Sequence, residues 1–143
     1  MNLFDNTLRD GGNVVGHGFS EELTKSIIGG LLNAGIKDIE MGNCKGLGAY
    51  GKLGAQKCPS DETYFEILQP YLPQGRIGMF MLAKCADKEN IRKAKEAGLN
   101  FLRVGANASD GQGAVKAVEM VKEAGSFSEF AKHYDLDVPQ ALE

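Results

Sequence analysis

Arg9 and Asp10 are adjacent and lie directly before two glycines, in the run Asp5-Asn6-Thr7-Leu8-Arg9-Asp10-Gly11-Gly12. A carboxylate can hold a hard divalent cation through oxygen. A guanidinium can stabilise negative charge developing on an enolate oxygen. Neighbours in a regular strand point to opposite faces, so the backbone has to turn if both side chains are to meet one ligand. Gly11 and Gly12 permit such a turn because glycine tolerates positive φ. The same pair also reads as a structural ion pair beside a turn, and the residues alone leave both readings open.

The other polar candidates are scattered. His17, in Gly16-His17-Gly18, has an imidazole suited to proton transfer, or is a solvated loop histidine. Lys84 follows an apolar run; a Schiff-base role needs a desolvated pocket, and otherwise it is a surface lysine. Cys44, Cys58 and Cys85 are odd in number, widely spaced and form no CxxC, which argues against a zinc cage or a disulfide framework and for a reduced, cytoplasmic chain. The glycine-rich segment from Gly42 to Gly54 has no GxxxxGK[ST]. It matches GxGxxG at Gly46, Gly48 and Gly51, yet no helix opens directly after the preceding strand, so nucleotide binding is not expected. It reads as a loop covering a substrate or as a flexible connection.

The elements that must position these residues follow from periodicity. Leu3 to Leu8 reads as a strand ending at the glycines. Ser20 is the expected cap of a helix whose apolar residues Leu23, Ile27, Leu31 and Ala34 recur at helical spacing, with Ile28 and Leu32 beside them, and which Gly35 closes. Ile36 to Met41 is the second strand. Ser60 caps a helix to about Gln69. Ile77 to Leu82 (IGMFML) is a continuous apolar run, expected of a strand buried on both faces. Asp87 caps a helix to Ala97, Phe101 to Val104 is the fourth strand, and a helix from Gln112 to Ala124 turns Val115, Val118 and Val121 inward. Strands separated by helices imply parallel pairing with right-handed crossovers. The segments AGIKDIEMG (34–42) and AGLNFLRVG (97–105) repeat one helix-end, turn and strand pattern. A third copy opens at Glu123-Ala124-Gly125, but the next residues, Ser126 to His133, look helical. The expectation is therefore a half-barrel domain at 1–125, with about four parallel βα units, and a helical tail at 126–143.

Composition bounds the function. With 43% apolar and 24% charged residues the chain has an ordinary globular balance, and its net charge of −3 offers no clustered basic surface for nucleic acid. No run approaches the roughly 18 apolar residues of a membrane span. The opening Met-Asn-Leu-Phe-Asp is too polar for a signal peptide.

DxTLRDG at the end of the first strand resembles the opening of the metal-dependent aldolase and lyase superfamily that includes hydroxymethylglutaryl-CoA lyase, isopropylmalate and homocitrate synthases and 4-hydroxy-2-oxovalerate aldolase. It is most similar to the last of these. Ile39-Glu40-Met41-Gly42, Gly46-Leu47-Gly48-Ala49, Ser60-Asp61-Glu62 and Leu102-Arg103-Val104 extend the similarity over residues 3 to about 125. The resemblance implies an α/β fold, part of a (β/α)8 TIM barrel, which is about 250 residues when complete. It also implies carbon–carbon bond cleavage or formation on a small 2-oxo acid, with Mg2+ or Mn2+ as cofactor. Asp10 would then be a metal ligand. Arg9 would stabilise the enolate and bind substrate. Glu40 and Arg103 would support that shell, or ion-pair inside the barrel. The family's His-x-His metal pair has no counterpart, since His17 and His133 are the chain's only histidines. The aldolase's histidine four positions after the motif arginine is Asn13 here, and an amide cannot serve as a general base. The segment Ala131-Lys132-His133-Tyr134-Asp135-Leu136-Asp137-Val138 is similar to the aldolase's closing helices. Three outcomes stay open: an enzyme whose metal site a second chain completes, a non-catalytic half-barrel that forms a homodimer, or a truncated family member without activity of its own.

Overall fold

The computed structural model describes residues 2–125. The tail expected at 126–143, and with it His133, lies outside the described residues. Four parallel strands form one sheet: β1 (Phe4–Asp5), β2 (Asp38–Met41), β3 (Arg76–Leu82) and β4 (Phe101–Gly105), in spatial order β1-β2-β3-β4. The helices among the described residues are α1 (Thr7–Asp10), α2 (Glu21–Asn33), α3 (Ala49–Lys52), α4 (Asp61–Leu68), α5 (Lys88–Glu96) and α6 (Gly111–Glu123). Each strand lies beside the one before it, so right-handed crossovers carry the helices to the same side of the sheet. This α/β arrangement is the one expected of part of a (β/α)8 barrel.

The faces of the sheet differ accordingly. Ile39, Met41, Ile77, Met79, Met81 and Leu102 pack with Ile28, Leu32, Leu68, Ile91 and Ala94 of the helices in one apolar core. Strand alternation sends the intervening residues to the opposite face, where Glu40, Gly78, Phe80, Phe101 and Arg103 gather. The run IGMFML is therefore buried fully on one side only: Ile77, Met79 and Met81 lie under the helices, while Phe80 is half-buried on the other face.

Several boundaries follow local chemistry. Ser20, Ser60 and Asp87 cap α2, α4 and α5, each accepting a backbone N–H of the first turn. The two copies of the repeat end their helices on left-handed glycines, Gly35 at φ 84° and Gly98 at φ 86°. Glu40 and Arg103 occupy the same place in the repeat, and so fall on the same face of the sheet.

Three details differ from the periodicity. The first strand stops at Asp5, and Thr7–Asp10 is a helical turn, because Asp5 accepts hydrogen bonds from Thr7 N and Thr7 Oγ1 and closes the chain on itself. The buried stripe of α2 is Thr24, Ile28 and Leu32, with Leu23 half exposed. In α6 the buried residue is Ala117, and Val115, Val118 and Val121 are only partly covered. No described helix is long and apolar enough to cross a membrane.

Candidate active site

The site lies at the C-terminal ends of the strands, where parallel α/β folds place their chemistry. Its floor is Glu40 on β2, fully buried. Glu40 Oε1 accepts from Arg9 Nε at 2.7 Å and from Arg103 Nη2 at 2.8 Å, and Glu40 Oε2 accepts from Arg103 Nε at 2.7 Å. Both guanidiniums also lie over the Phe80 ring, each Cζ 4.8 Å from the centroid. One buried carboxylate and one aromatic ring thus hold two arginines. Arg103 reaches Glu40 from two strands away because both occupy the open face.

Arg9 has a second acidic partner. Its Nη1 donates to Asp10 Oδ1 at 2.8 Å. Among the described residues nothing accepts a hydrogen bond from Arg9 Nη2, so one edge of the guanidinium remains available. The Arg9 side chain is 11% exposed and that of Asp10 is 61% exposed. Asn13 Nδ2 donates to Asp10 O at 3.0 Å, and Asn13 Oδ1 accepts from Lys45 Nζ at 3.1 Å. A hydrogen-bonded line therefore runs Lys45–Asn13–Asp10–Arg9.

Arg9 and Asp10 do share one side of the chain, but by another route than the one their glycines suggested. The α1 turn and the following 3-10 turn, Gly11–Asn13, bring them together, and Gly11 is helical at φ −59°. Gly12 is closely packed instead: a Cβ there would make tight contacts, 3.1 Å from Cys44 Cβ, Gly18 Cα and His17 O. His17 lies in the loop before α2 and is only partly exposed. It is a half-buried residue at φ 84°, with its N–H on Gly12 O at 2.8 Å and its carbonyl accepting from Cys44 N at 2.7 Å. The loop sequence did not announce this, because the strain comes from contacts with residues distant in the chain.

The glycine-rich loop is built rather than slack. Gly46, at φ 89°, bridges to Met81, and Leu47 N donates to Phe80 O at 2.8 Å. Asp61 Oδ2 accepts from Gly48 N at 2.8 Å. Burial pushes the Asp61 carboxyl up to about 6, against the lowering effect of that hydrogen bond. The three cysteines are free thiols, and burial raises all three above the usual thiol range, which disfavours a nucleophilic thiolate.

The donor set does not fit a resident divalent cation. Asp10 offers one carboxylate, both Glu40 oxygens are engaged by guanidiniums, and no group of three His, Cys, Asp or Glu capable of holding a metal occurs among the described residues. Mg2+ and Mn2+ favour about six hard ligands.

No protein-family model matches the chain. It is 27% identical over 125 residues to a protein of Carboxydothermus hydrogenoformans, covering 87% of this chain and 37% of that one. It is 32% identical over 110 residues to one of Paraburkholderia xenovorans, covering 77% of this chain and 32% of the other. A Nocardia farcinica protein is 30% identical over 125 residues, covering 87% and 36%. All three are named 4-hydroxy-2-oxovalerate aldolase. The chain is a homologue of these aldolases, and it spans about a third of the length of the curated relatives it matches.

Proposed function

We propose that the chain carries the enolate-stabilising part of an aldolase site for a small 2-oxo acid, 4-hydroxy-2-oxovalerate being the substrate in its homologues' names. The observation that carries this reading is the Arg9 guanidinium, fixed by Glu40 and Phe80 with its Nη2 edge open.

The chemistry is a retro-aldol step. The C4 hydroxyl gives its proton to solvent water, the C3–C4 bond breaks, acetaldehyde leaves, and the electron pair moves onto the C2 oxygen to give the enolate of pyruvate. Proton return from solvent to C3 then yields pyruvate. Arg9 Nη2 donates to the C2 oxygen as its charge develops. Glu40 and Arg103 act as positioning residues: they hold the guanidinium plane before the substrate arrives, so no reorganisation is needed at the moment of cleavage. Asn13, bonded to Asp10 and Lys45, orients that edge and moves no proton. The described donors do not fit Mg2+ or Mn2+, so no step runs through a cation, and the role of Arg9 stands without one.

The test is release of pyruvate from 4-hydroxy-2-oxovalerate by the purified chain, with and without Mn2+. Arg9→Ala should lower the rate by about a hundredfold or more, the usual loss on removing an oxyanion donor. A folded chain that releases no pyruvate, with or without Mn2+, refutes the proposal. A second reading, a non-catalytic half-barrel, draws on the two sheet edges formed by β1 and β4 among the described residues. It requires a stable homodimer by solution mass and no activity.

A further inference from the structure

Glu40 and Asp61 are the buried carboxylates among the described residues, and their surroundings differ. Glu40 is held by two guanidiniums. Asp61, in the first turn of α4, has one backbone donor: its Oδ2 accepts from Gly48 N at 2.8 Å. Its Oδ1 is buried and has no hydrogen-bond partner among the described residues. A bare charged oxygen in a protein interior costs more than a bare neutral one. The neutral carboxyl keeps an acceptor for Gly48 N and buries no charge.

The donor belongs to a segment that also touches the Arg9 cluster. Gly46 and Gly48 have left-handed backbones, φ 89° and 80°. Between them Leu47 N donates to the carbonyl of Phe80, whose ring carries both guanidiniums. Just before them Lys45 Nζ donates to Asn13 Oδ1. Leu47 is 1% exposed, so this segment is closed in the major state and its opening is a minor one.

We propose that Asp61 is a proton-operated latch on the segment 46–49: neutral, it holds the segment down through Gly48, and ionised, it draws in water so that the segment opens more often. Its neighbours leave the switching to Asp61. Cys58, Tyr64 and Cys85 are held above their ordinary ranges by burial and stay neutral between about pH 5 and pH 8. Glu62 favours the neutral form of Asp61 and Lys93 of α5 the charged form, and these two pair with each other at 3.1 Å. Lys52 of α3 pairs with Asp87 at 3.3 Å. Burial sets the Asp61 carboxyl at about 6 in the closed segment, against 3.8 where water reaches it. The open form binds the proton more weakly, so opening grows as pH rises from 3.8 through 6. The ratio of open to closed should rise about tenfold between about pH 5 and pH 8. The latch does not rest on the aldolase reading.

Hydrogen exchange of the full chain, read amide by amide by NMR and corrected for the intrinsic base-catalysed rate, tests it without any activity measurement. The Gly48 and Leu47 amides should exchange faster than those of β3, insensitively to low urea, with protection falling about tenfold from about pH 5 to pH 8. Asp61→Asn should remove that fall. The Asp61 carboxyl carbon of the native chain should titrate with the same midpoint as the loop amides, which keeps the test decisive if the variant does not fold. Protection at Gly48 that is independent of pH overturns the latch, as does an equal fall in Asp61→Asn. So does exchange at the β3 rate, which marks global unfolding, or a carboxyl midpoint near its ordinary value.

Discussion

Glu40→Gln tests the centre of the site. Glu40 is fully buried and accepts three hydrogen bonds at 2.7–2.8 Å from two guanidiniums. Glutamine keeps one acceptor oxygen and replaces the other with an NH2 that meets an arginine N–H donor against donor. The substitution also removes the negative charge between two cations. Removing one partner of a buried ion pair costs about 3–5 kcal/mol. The Arg103 side chain is 40% exposed and can turn to water, whereas Arg9, at 11%, cannot do so easily. The lower end of that range, about 3 kcal/mol, is therefore expected, or about 10 °C in Tm for a domain of this size. Thermal and urea unfolding measure the loss, and pyruvate release measures its effect on the site. Activity should fall more than stability explains, because an Arg9 freed from Glu40 no longer presents Nη2 in a fixed plane. A stability loss below about 1 kcal/mol with unchanged activity refutes the idea that Glu40 holds the arginines.

Arg9→Lys keeps the charge but cannot engage Glu40, Asp10 and substrate from one plane; pyruvate release should drop about as far as in Arg9→Ala, with the fold retained in circular dichroism. Asp61 has its pKa raised from 3.8 to about 6. A raised carboxyl pKa means the folded state binds the proton more readily than the unfolded chain, so this group favours folding as pH falls from 6 towards 3.8 and its ionisation disfavours folding above that window. The stability of Asp61→Asn relative to the native chain should therefore improve by about 3 kcal/mol between acid and neutral pH, read from urea unfolding at each pH; a pH-independent difference counts against it. Gly46→Ala forces φ 89° on alanine and sets a Cβ 2.5 Å from Phe80 O. It should cost roughly 2 kcal/mol or more, read as a lowered urea midpoint. Ser60→Ala removes the acceptor of Thr63 N and should cost about 1 kcal/mol in the same assay.

The sequence by itself determined what depends on neighbours in the chain. Caps at Ser20, Ser60 and Asp87 were legible because a side chain bonds a backbone N–H two or three residues on. The four strands, the Ala-Gly turns and the parallel order followed from period and repeat. An Arg9–Asp10 ion pair, and ion pairing of Glu40 and Arg103 inside the barrel, were also among the open readings. Tertiary structure decided what depends on distance across the sheet. It joined the two pairs through one carboxylate, because three strand ends converge on Glu40 and Phe80. It replaced the glycine turn at Gly11-Gly12 with a helical one, which the Asp5 carboxylate begins by accepting from Thr7 N and Thr7 Oγ1. It tied the His17 loop to residues distant in the chain, through backbone hydrogen bonds to Gly12 and from Cys44. Local rules place the elements; which charges meet depends on contacts between strands 30 to 60 residues apart, which no single segment contains.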